Sequence, residues 1–216
     1  MNEDIMTLSN KLIYDDRLKC GSEDVAKRTL VLPNAPTNGE DSWLDALHKR
    51  QRCARPNPST PLPSCTQDSC WLAHLTDPLT TAVFVDTDTL GEGAAYDSRV
   101  GDLVQNEVEA ELVVQLVEAL VKGWGVRRRD VGVISLYRQQ VKLIRRMLGE
   151  RVGSFLGGGD GVWEEGEEEE EGEEVEVLTA DKSQGRDKEC IVVSMVRSND
   201  QRKVRLSLNE HHGAGC

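Results

Sequence analysis

The amino-acid sequence predicts an α/β fold, a mostly parallel sheet with helices on both faces that is interrupted by disordered insertions. Three short apolar runs rich in β-branched residues, at 131–136, 175–178 and 191–196, are typical of buried parallel strands. Segments of helical period alternate with strands, and this order favours parallel pairing. Two stretches without periodicity, one rich in proline and one in glycine and glutamate, mark the insertions.

Length and charge set wide limits on function. The 216 residues have room for one α/β domain and a less ordered part, or for two small domains. The net charge is −12, but residues 164–174 hold nine glutamates, and the rest of the chain carries only −3. The acidity is therefore local and does not exclude a nucleic-acid partner. No signal-peptide pattern and no apolar run near about 18 residues is present, so we expect a soluble chain that has no membrane partner and is not secreted.

The first 32 residues predict a helix followed by an edge strand. The sequence TLVL at 29–32 is β-like and ends at Pro33, as an edge strand would. The helix has an apolar face at helical spacing, formed by Ile5, Leu8, Leu12 and Ile13.

Residues 33–80 contain all seven prolines of the chain and predict a long surface loop. The loop includes Cys53, and its Cys65, Cys70 and His74 have the spacing C-x4-C-x3-H, which would suit a metal knuckle. That spacing is not a usual zinc pattern and no second C-x2-C accompanies it. With six cysteines and no secretory signal, we predict reduced, free thiols and no metal site, and a zinc knuckle is the alternative.

A predicted strand at 81–87 and a loop lead to a second helix. Asn106 is a favourable N-cap, and Glu109 three residues later completes a capping-box pattern. The helix is expected to stop at Gly123. Its predicted apolar face consists of Val108, Leu112, Leu116 and Leu120.

The strand at 131–136 is followed by a predicted helix at 137–148 and then by the second insertion, at 149–174. The insertion joins GGGDG to the glutamate run and lacks the Gly-Lys-Ser/Thr of a phosphate loop, so we expect a disordered linker. The helix turns Val141, Ile144 and Leu148 towards the sheet. Its opposite face is basic and carries Arg138, Lys142, Arg145 and Arg146.

The polar turn between the last two strands offers phosphate-binding chemistry. A hydroxyl and backbone N–H groups at the carboxyl end of a strand suit a phosphate oxygen. Glycine permits close backbone approach, and arginine can donate two parallel hydrogen bonds to phosphate. The alternative is a polar turn with incidental charges. The residues concerned are Thr179, Asp181, Gln184, Gly185, Arg186 and Asp187.

The stretch VLTADKSQGRDKECIVVSMVRSN resembles the fifth motif of the superfamily 1 helicases, T-x-D-x-x-Q-G-R-(D/E)-K followed by an apolar strand and V-R-S-N. VGVISLYRQQVKLI resembles the family segment G-V-I-x-P-Y-R-x-Q, with Leu136 in place of proline. MNEDIMTLSNKLIYDDRLKCGS looks like the chain that follows the family motif Q-Y-R-M. The variants Y-R-Q-Q, D-K-x-Q-G-R-D-K, L-S-N-K-L and C-G-S favour the helicase/nuclease branch of this family.

The resemblance implies that residues 1–32 and 81–199 form the second RecA-like domain, of the P-loop NTPase type, of an ATP-dependent DNA helicase and nuclease of DNA replication and repair. It implies DNA contacts at Thr179, Arg138 and Gln140. It also implies nucleotide contacts at Gln184, Gly185, Arg186 and Asp187. The partners would be single-stranded DNA, ATP with Mg²⁺, and the first RecA-like domain of the same motor. The location would be the nucleus, with mitochondria as a further site.

Several family motifs have no counterpart in this chain. Neither G-x4-G-K-(S/T) nor an Asp-Glu metal-binding pair is present, and the final arginine motif does not follow Asn199. We therefore predict no complete catalytic set and no ATP hydrolysis by the chain alone. Residues 200–216 form a divergent tail, where His211, His212 and Cys216 are not expected to be ligands. The alternative functions are an inactive RecA-like binding module acting through its acidic loop and a metal-binding protein built on the cysteines.

Overall fold

The computed structural model describes residues 1–35, 70–87, 90, 96–152 and 174–198. Its helices are α1 (Glu3–Leu12), α2 (Glu23–Ala26), α3 (Trp71–Leu75), α4 (Glu107–Glu118) and α5 (Arg138–Val152). Its strands are β1 (Ser98–Val100), β2 (Leu103–Gln105), β3 (Val131–Ser135), β4 (Glu176–Thr179) and β5 (Cys190–Ser194). Among the helices described, none combines the length and apolar character needed to cross a membrane.

The parallel sheet has the strand order β4-β3-β5. Val133 of β3 lies beside Val177 of β4 and Val192 of β5, and in the last row Ser135 lies beside Thr179 and Ser194. All three strands therefore end at one edge, here called the carboxyl edge. The predicted α/β class with a parallel sheet is confirmed, because the three β-branched runs became its strands.

Helices α4 and α5 pack on one face of this sheet. Val131 and Val133 are buried beneath them together with Val177. The opposite face, which carries Ile134, Leu178, Ile191 and Val193, is crossed by the chain that links β4 to β5. Gly132 permits this crossing, since an added Cβ there would lie 3.0 Å from Cγ of Lys188. Within the described residues, this open face leaves Ile191 and Val193 about half exposed.

The start of α4 is as predicted, but its buried face is not. Asn106 is the N-cap, and its side chain accepts a hydrogen bond from the Glu109 N–H at 3.0 Å. The predicted residues Val108, Leu112 and Leu116 are only half-buried. The helix is turned so that β-branched and small residues meet the sheet and α5, and it ends in a π-helical turn at Ala119–Gly123. Of the predicted face only Leu120, in the π-helical turn, is buried. The residues that α4 buries are Ala110, Val113, Val114, Gln115 and Val117.

The predicted strand at 81–87 is wrong, since these residues have no regular structure. Phe84 is 85% exposed, and its neighbours Val83 and Val85 are also exposed. A β-branched run becomes a strand only beside a pairing partner, and none of the described strands lies along it. Instead, β1 and β2 form an antiparallel hairpin that was not predicted. Its signal was Gly101-Asp102, a two-residue turn in which Gly101 has φ +61.

The N-terminal helix was predicted correctly, whereas the edge strand at 29–32 was not. Helix α1 forms, but its apolar face is exposed within the described residues, and Leu8 and Leu12 lie mostly in solvent. Residues 29–32 are not a strand, and none of the described strands pairs with them. Leu32 nevertheless is buried in the core, and the N–H of Asn34 donates to the carbonyl of Trp124 at 3.0 Å. The β-like pattern therefore reflected packing and not sheet pairing.

Two boundaries differ from the expected loops. Within 33–80, the short helix α3 inserts Leu72 into the core, with the Cys70 thiol also fully buried. Helix α5 continues to Val152, past the predicted start of the insertion at 149. Cys53, Cys65 and the tail from 200 to 216 lie outside the described residues, as does most of the insertion.

Candidate nucleotide and nucleic-acid site

The carboxyl edge carries a row of three hydroxyl side chains. Thr179, Ser135 and Ser194 are paired neighbours at the ends of β4, β3 and β5, so their side chains share the face that α4 and α5 cover. Ser135 and Ser194 are buried, whereas Thr179 is partly exposed. The Thr179 hydroxyl makes no hydrogen bond within the part of the chain that the structure describes. Thr179 is thus the hydroxyl of this row that an external ligand can reach.

Arg138 lies at the same edge, because it is the first residue of α5 and follows the end of β3. Its side chain is exposed and forms no ion pair with any described residue. The first turn of α5 contains no acidic residue. A cation at a helix N-terminus is electrostatically unfavourable, and the N–H groups there attract anions. An anion bound between Arg138 and Thr179 would relieve that repulsion.

Gln140 is placed differently from the DNA contact predicted for it. Its side chain is fully buried, with an exposure of 0%. Its Oε1 accepts from the Asn106 N–H at 2.8 Å, and its Nε2 donates to the Asn106 carbonyl at 3.0 Å and to the Ser194 hydroxyl at 3.1 Å. Protein groups occupy the whole amide, so Gln140 joins α5 to α4 and β5. A direct contact with DNA stays a prediction, and in this conformation the amide offers it no free atom.

The polar turn begins at the carboxyl edge and then crosses the open face of the sheet. The Ala180 N–H donates to the Ser135 carbonyl at 3.3 Å, and the Lys182 N–H donates to the Thr179 carbonyl at 3.0 Å. Gly185 has φ +81, the left-handed conformation that favours glycine. Asp181, Gln184 and Asp187 are exposed and make no side-chain hydrogen bond with the described residues. The turn thus presents several free polar groups to one ligand or partner.

Replacement of Gly185 by alanine is expected to cost about 1 kcal/mol of unfolding free energy, through backbone strain alone. No atom lies within 4 Å of the added Cβ, so steric crowding does not contribute. Gly21→Ala is the matched control, because its Cβ also meets nothing within 4 Å and its φ is not positive. Urea denaturation of both variants measures the difference. Equal stability of the two would contradict the strain assigned to Gly185.

Arg186 lies on the opposite side of the sheet from Thr179. Its Nη1 is 3.4 Å from Oε1 of Glu176, at the beginning of β4, and its side chain is 49% exposed. Lys188 reaches the same carboxylate oxygen at 3.1 Å and donates to the Arg129 carbonyl at 2.7 Å. The cavity beneath these side chains has a volume of about 20 Å³, enough for a water molecule and far too small for a nucleotide. A nucleotide bound on this side of the sheet would need contacts from residues outside this cavity.

Sequence analysis did not predict a cluster of polar side chains that bonds to the residues at the end of β5 and just after it. Glu109 accepts from the Ser194 hydroxyl at 2.8 Å and from the Val196 N–H at 2.9 Å. Asp97 pairs with Arg197 at 2.9 Å. The available signal was the N-cap pattern of Asn106 and Glu109, which predicted a bond within the helix and not a bond to a strand.

The cysteines that the structure describes do not form a site. Burial raises the pKa of the Cys190 thiol to about 11, so this thiol stays neutral and a poor nucleophile. Cys70 is buried as a small apolar group, and among the described residues no cluster of His, Cys, Asp and Glu could hold a metal ion.

The structure combines a parallel sheet, helices on one of its faces, a polar turn at its carboxyl edge and a free basic residue beside a strand end. This arrangement defines an α/β domain of the RecA-like class. The chain belongs to the family described as the AAA domain, whose sequence model matches residues 1–212. That match also extends across 33–80 and into the tail, beyond the two ranges from which the resemblance was inferred.

The chain is similar to DNA replication ATP-dependent helicase/nucleases. It is 35% identical over 198 residues to DNA2 of Saccharomyces cerevisiae, 36% over 200 to DNA2 of Mus musculus, and 34% over 203 to JHS1 of Arabidopsis thaliana. The matches cover 92%, 93% and 94% of this chain. They cover only 10%, 15% and 11% of those proteins. The resemblance to a helicase domain is confirmed, and the chain corresponds to a small part of such a protein.

Proposed function

We propose that this chain contributes one half of an ATP cleft and one half of a single-stranded DNA track to an ATP-dependent helicase/nuclease acting in DNA replication and repair. The observation that carries the proposal is the separation of two groups of residues by the sheet. Thr179 and Arg138 lie on its helix side, at the carboxyl edge. Arg186 lies beneath the open face with Glu176. The single turn that contains Thr179 and Arg186 would therefore contact DNA on one side of the sheet and the nucleotide on the other.

The helix side suits a DNA backbone. A phosphate there would accept hydrogen bonds from the Thr179 hydroxyl and the Arg138 guanidinium, and the N-terminus of α5 would add its partial positive charge. Groups of this kind position a strand without reading its sequence. The turn residues are exposed, so this domain would cover a bound DNA strand on one side only. This is expected when a second domain supplies the other half of the DNA-binding track.

The other side suits the nucleotide. Gln184, Gly185, Arg186 and Asp187 form the part of the turn that leads from the carboxyl edge onto the open face. Arginine can donate two hydrogen bonds to a phosphate, and Gly185 lets the backbone approach it. The residues present do not supply a phosphate loop or a magnesium ligand pair, so the first RecA-like domain would have to bring them. When bound there, Mg²⁺ would neutralise phosphate charge.

Because DNA2 and JHS1 are named as DNA replication proteins, we propose that the chain works in the nucleus, with mitochondria as a further location. ATP, single-stranded DNA and the first RecA-like domain are its proposed partners.

Replacement of Arg138 by alanine is expected to weaken binding of a single-stranded oligothymidylate by about fivefold, the effect of one lost phosphate contact. The slope of log affinity against log salt should also fall by about 0.7. Fluorescence anisotropy at several salt concentrations measures both quantities. Arg146→Ala is the matched control, because this exposed arginine lies further along α5, 4.0 Å from Glu150. An equal loss in both variants would show a general charge effect and contradict the proposed track.

A further inference from the structure

The backbone at the exit of β5 is strained. Val196 has φ +72, a conformation that β-branched residues rarely adopt. Its side chain is fully buried, with an exposure of 0%. Such a residue keeps this conformation only when its surroundings hold it there. The contacts of Val196 therefore show which groups hold its backbone in this conformation.

Helix α4 supplies the groups that hold Val196. One oxygen of Glu109, Oε2, accepts from the Val196 N–H at 2.9 Å and from the Ser194 hydroxyl at 2.8 Å. Nδ2 of Asn106 donates to the Val196 carbonyl at 3.1 Å. Both peptide groups of the strained residue are thus fixed from the same helix N-terminus. Glu109 does so in place of the capping-box bond, because the Asn106 N–H already donates to Gln140.

The strained residue directs the chain that follows it. Arg197 Nη1 lies 2.9 Å from Oδ2 of Asp97, and the Ser198 N–H donates to Oδ1 of the same carboxylate at 3.1 Å. The Asp97 N–H in turn donates to the Ser198 carbonyl at 2.9 Å. Directly after the positive-φ residue Val196, both Arg197 and Ser198 therefore bond to Asp97.

We propose that Glu109 is a positioning residue for the DNA track: it holds Val196 in its left-handed conformation and thereby fixes Arg197 and Ser198 beside the carboxyl edge. The inference rests on the proposed function, because it takes that edge to be the DNA-binding side. In the proposed site, Glu109 would act through Val196 and Ser194 and would not itself contact DNA or nucleotide. It links the start of α4 to the exit of β5, and Gln140 extends this link to α5, on which Arg138 lies.

Amide hydrogen exchange at Arg197 and Ser198 tests the positioning directly in the full 216-residue chain. The partners of these two N–H groups are Met195 and Asp97, so neither donates to Glu109. In Glu109→Gln a neutral amide oxygen replaces the carboxylate that accepts from Val196 and Ser194, and the NH₂ group replaces the oxygen that accepts from Nδ2 of Asn106 at 3.4 Å. Exchange at both positions should therefore rise on the order of tenfold. Glu107→Gln is the matched control, because it removes a charge from the same helix turn and should leave exchange unchanged.

Rescue separates positioning from general stability. Val196→Gly relieves the need for a clamp, since glycine adopts positive φ without strain. Because the Val196 side chain is fully buried, the single Val196→Gly variant measures the cost of removing it, and the double variant Glu109→Gln/Val196→Gly should show exchange at Arg197 and Ser198 within about threefold of that single variant. Unchanged exchange in Glu109→Gln, an equal rise throughout β3, or no rescue by glycine would each overturn the proposal.

Oligothymidylate affinity, measured on the same variants at one salt concentration, separates this inference from the proposed function. We expect affinity to fall about threefold or more in Glu109→Gln and to recover in the double variant. If exchange rises as expected but DNA affinity is unchanged, Glu109 does hold the Val196 backbone, but only as a feature of the fold. The DNA-binding role of the carboxyl edge is then the claim that fails, and with it the assignment of Glu109 to the track.

Discussion

A chain in which Gln140 is replaced by leucine should lose about 3 kcal/mol or more of its unfolding free energy. The buried amide satisfies the N–H and carbonyl of Asn106 and one hydrogen bond of Ser194. Leucine has nearly the same volume and satisfies none of them. Each buried polar group left without a partner costs about 1–3 kcal/mol, so the backbone pair alone accounts for most of the loss.

Gln139→Leu is the matched control for this prediction. Gln139 is its half-buried neighbour, and among the described residues it donates to Oε1 of Gln105 alone, at 3.2 Å. Its replacement should cost less than about 1 kcal/mol. Urea denaturation of both variants gives the comparison. Native stability of Gln140→Leu together with weakened DNA binding would contradict the structural role and restore the direct DNA contact predicted from the sequence.

The parallel strands could be predicted because each signal was local and strong. Residues 131–136, 175–178 and 191–196 are continuous apolar runs, and burial on the sheet follows from such runs. The same reasoning failed at 81–87 and at 29–32, where β-branched residues have no strand to pair with in the described structure. Strand propensity reports fit to a neighbouring strand, and a sequence window does not contain that neighbour.

The residues of the candidate site also fall into two groups: those with a local sequence signal and those whose contacts depend on distant partners. The positions of Thr179 at a strand end and of Gly185 in a turn could be predicted because both are local features, whereas their ligand contacts stay predictions. The contacts of Gln140 and Glu109 were not, since their partners Asn106 and Val196 lie 34 and 87 residues away in sequence. Glu109 fitted a capping box within α4, but the strained peptide group of Val196, just after β5, donates to its carboxylate instead. Local patterns predict which residues are polar and tertiary packing decides which groups they bond.

The orientation of α4 shows a third limit. Leu112 and Leu116 form a regular apolar stripe, but Val113, Val114 and Val117 are the residues that face the sheet and α5. Both stripes have helical period, and the pattern alone did not choose between them. The apolar side chains that α4 buries are the smaller, mostly β-branched ones, so tertiary packing, which the sequence pattern does not contain, made the choice.

The two proposed ligand sides of the turn are tested most directly by Thr179→Ala and Arg186→Ala in a complete motor that carries this chain as its second RecA-like domain. Thr179→Ala removes a phosphate contact and should weaken single-stranded DNA binding by about fivefold, while nucleotide affinity is unchanged. Arg186→Ala removes a donor from the cleft and should lower ATP turnover by at least about tenfold, while DNA affinity without nucleotide is retained.

The measurement is nucleotide affinity, DNA affinity and ATP turnover for each variant at one fixed salt concentration, because DNA binding depends on salt. Arg17→Ala serves as the control, since Arg17 is an exposed arginine paired with Asp15 at 3.0 Å, as Arg186 is paired with Glu176. We predict that the two variants lose different activities and that the control loses neither. Native DNA affinity and native turnover in both Thr179→Ala and Arg186→Ala would contradict the assignment of this turn to a DNA helicase motor.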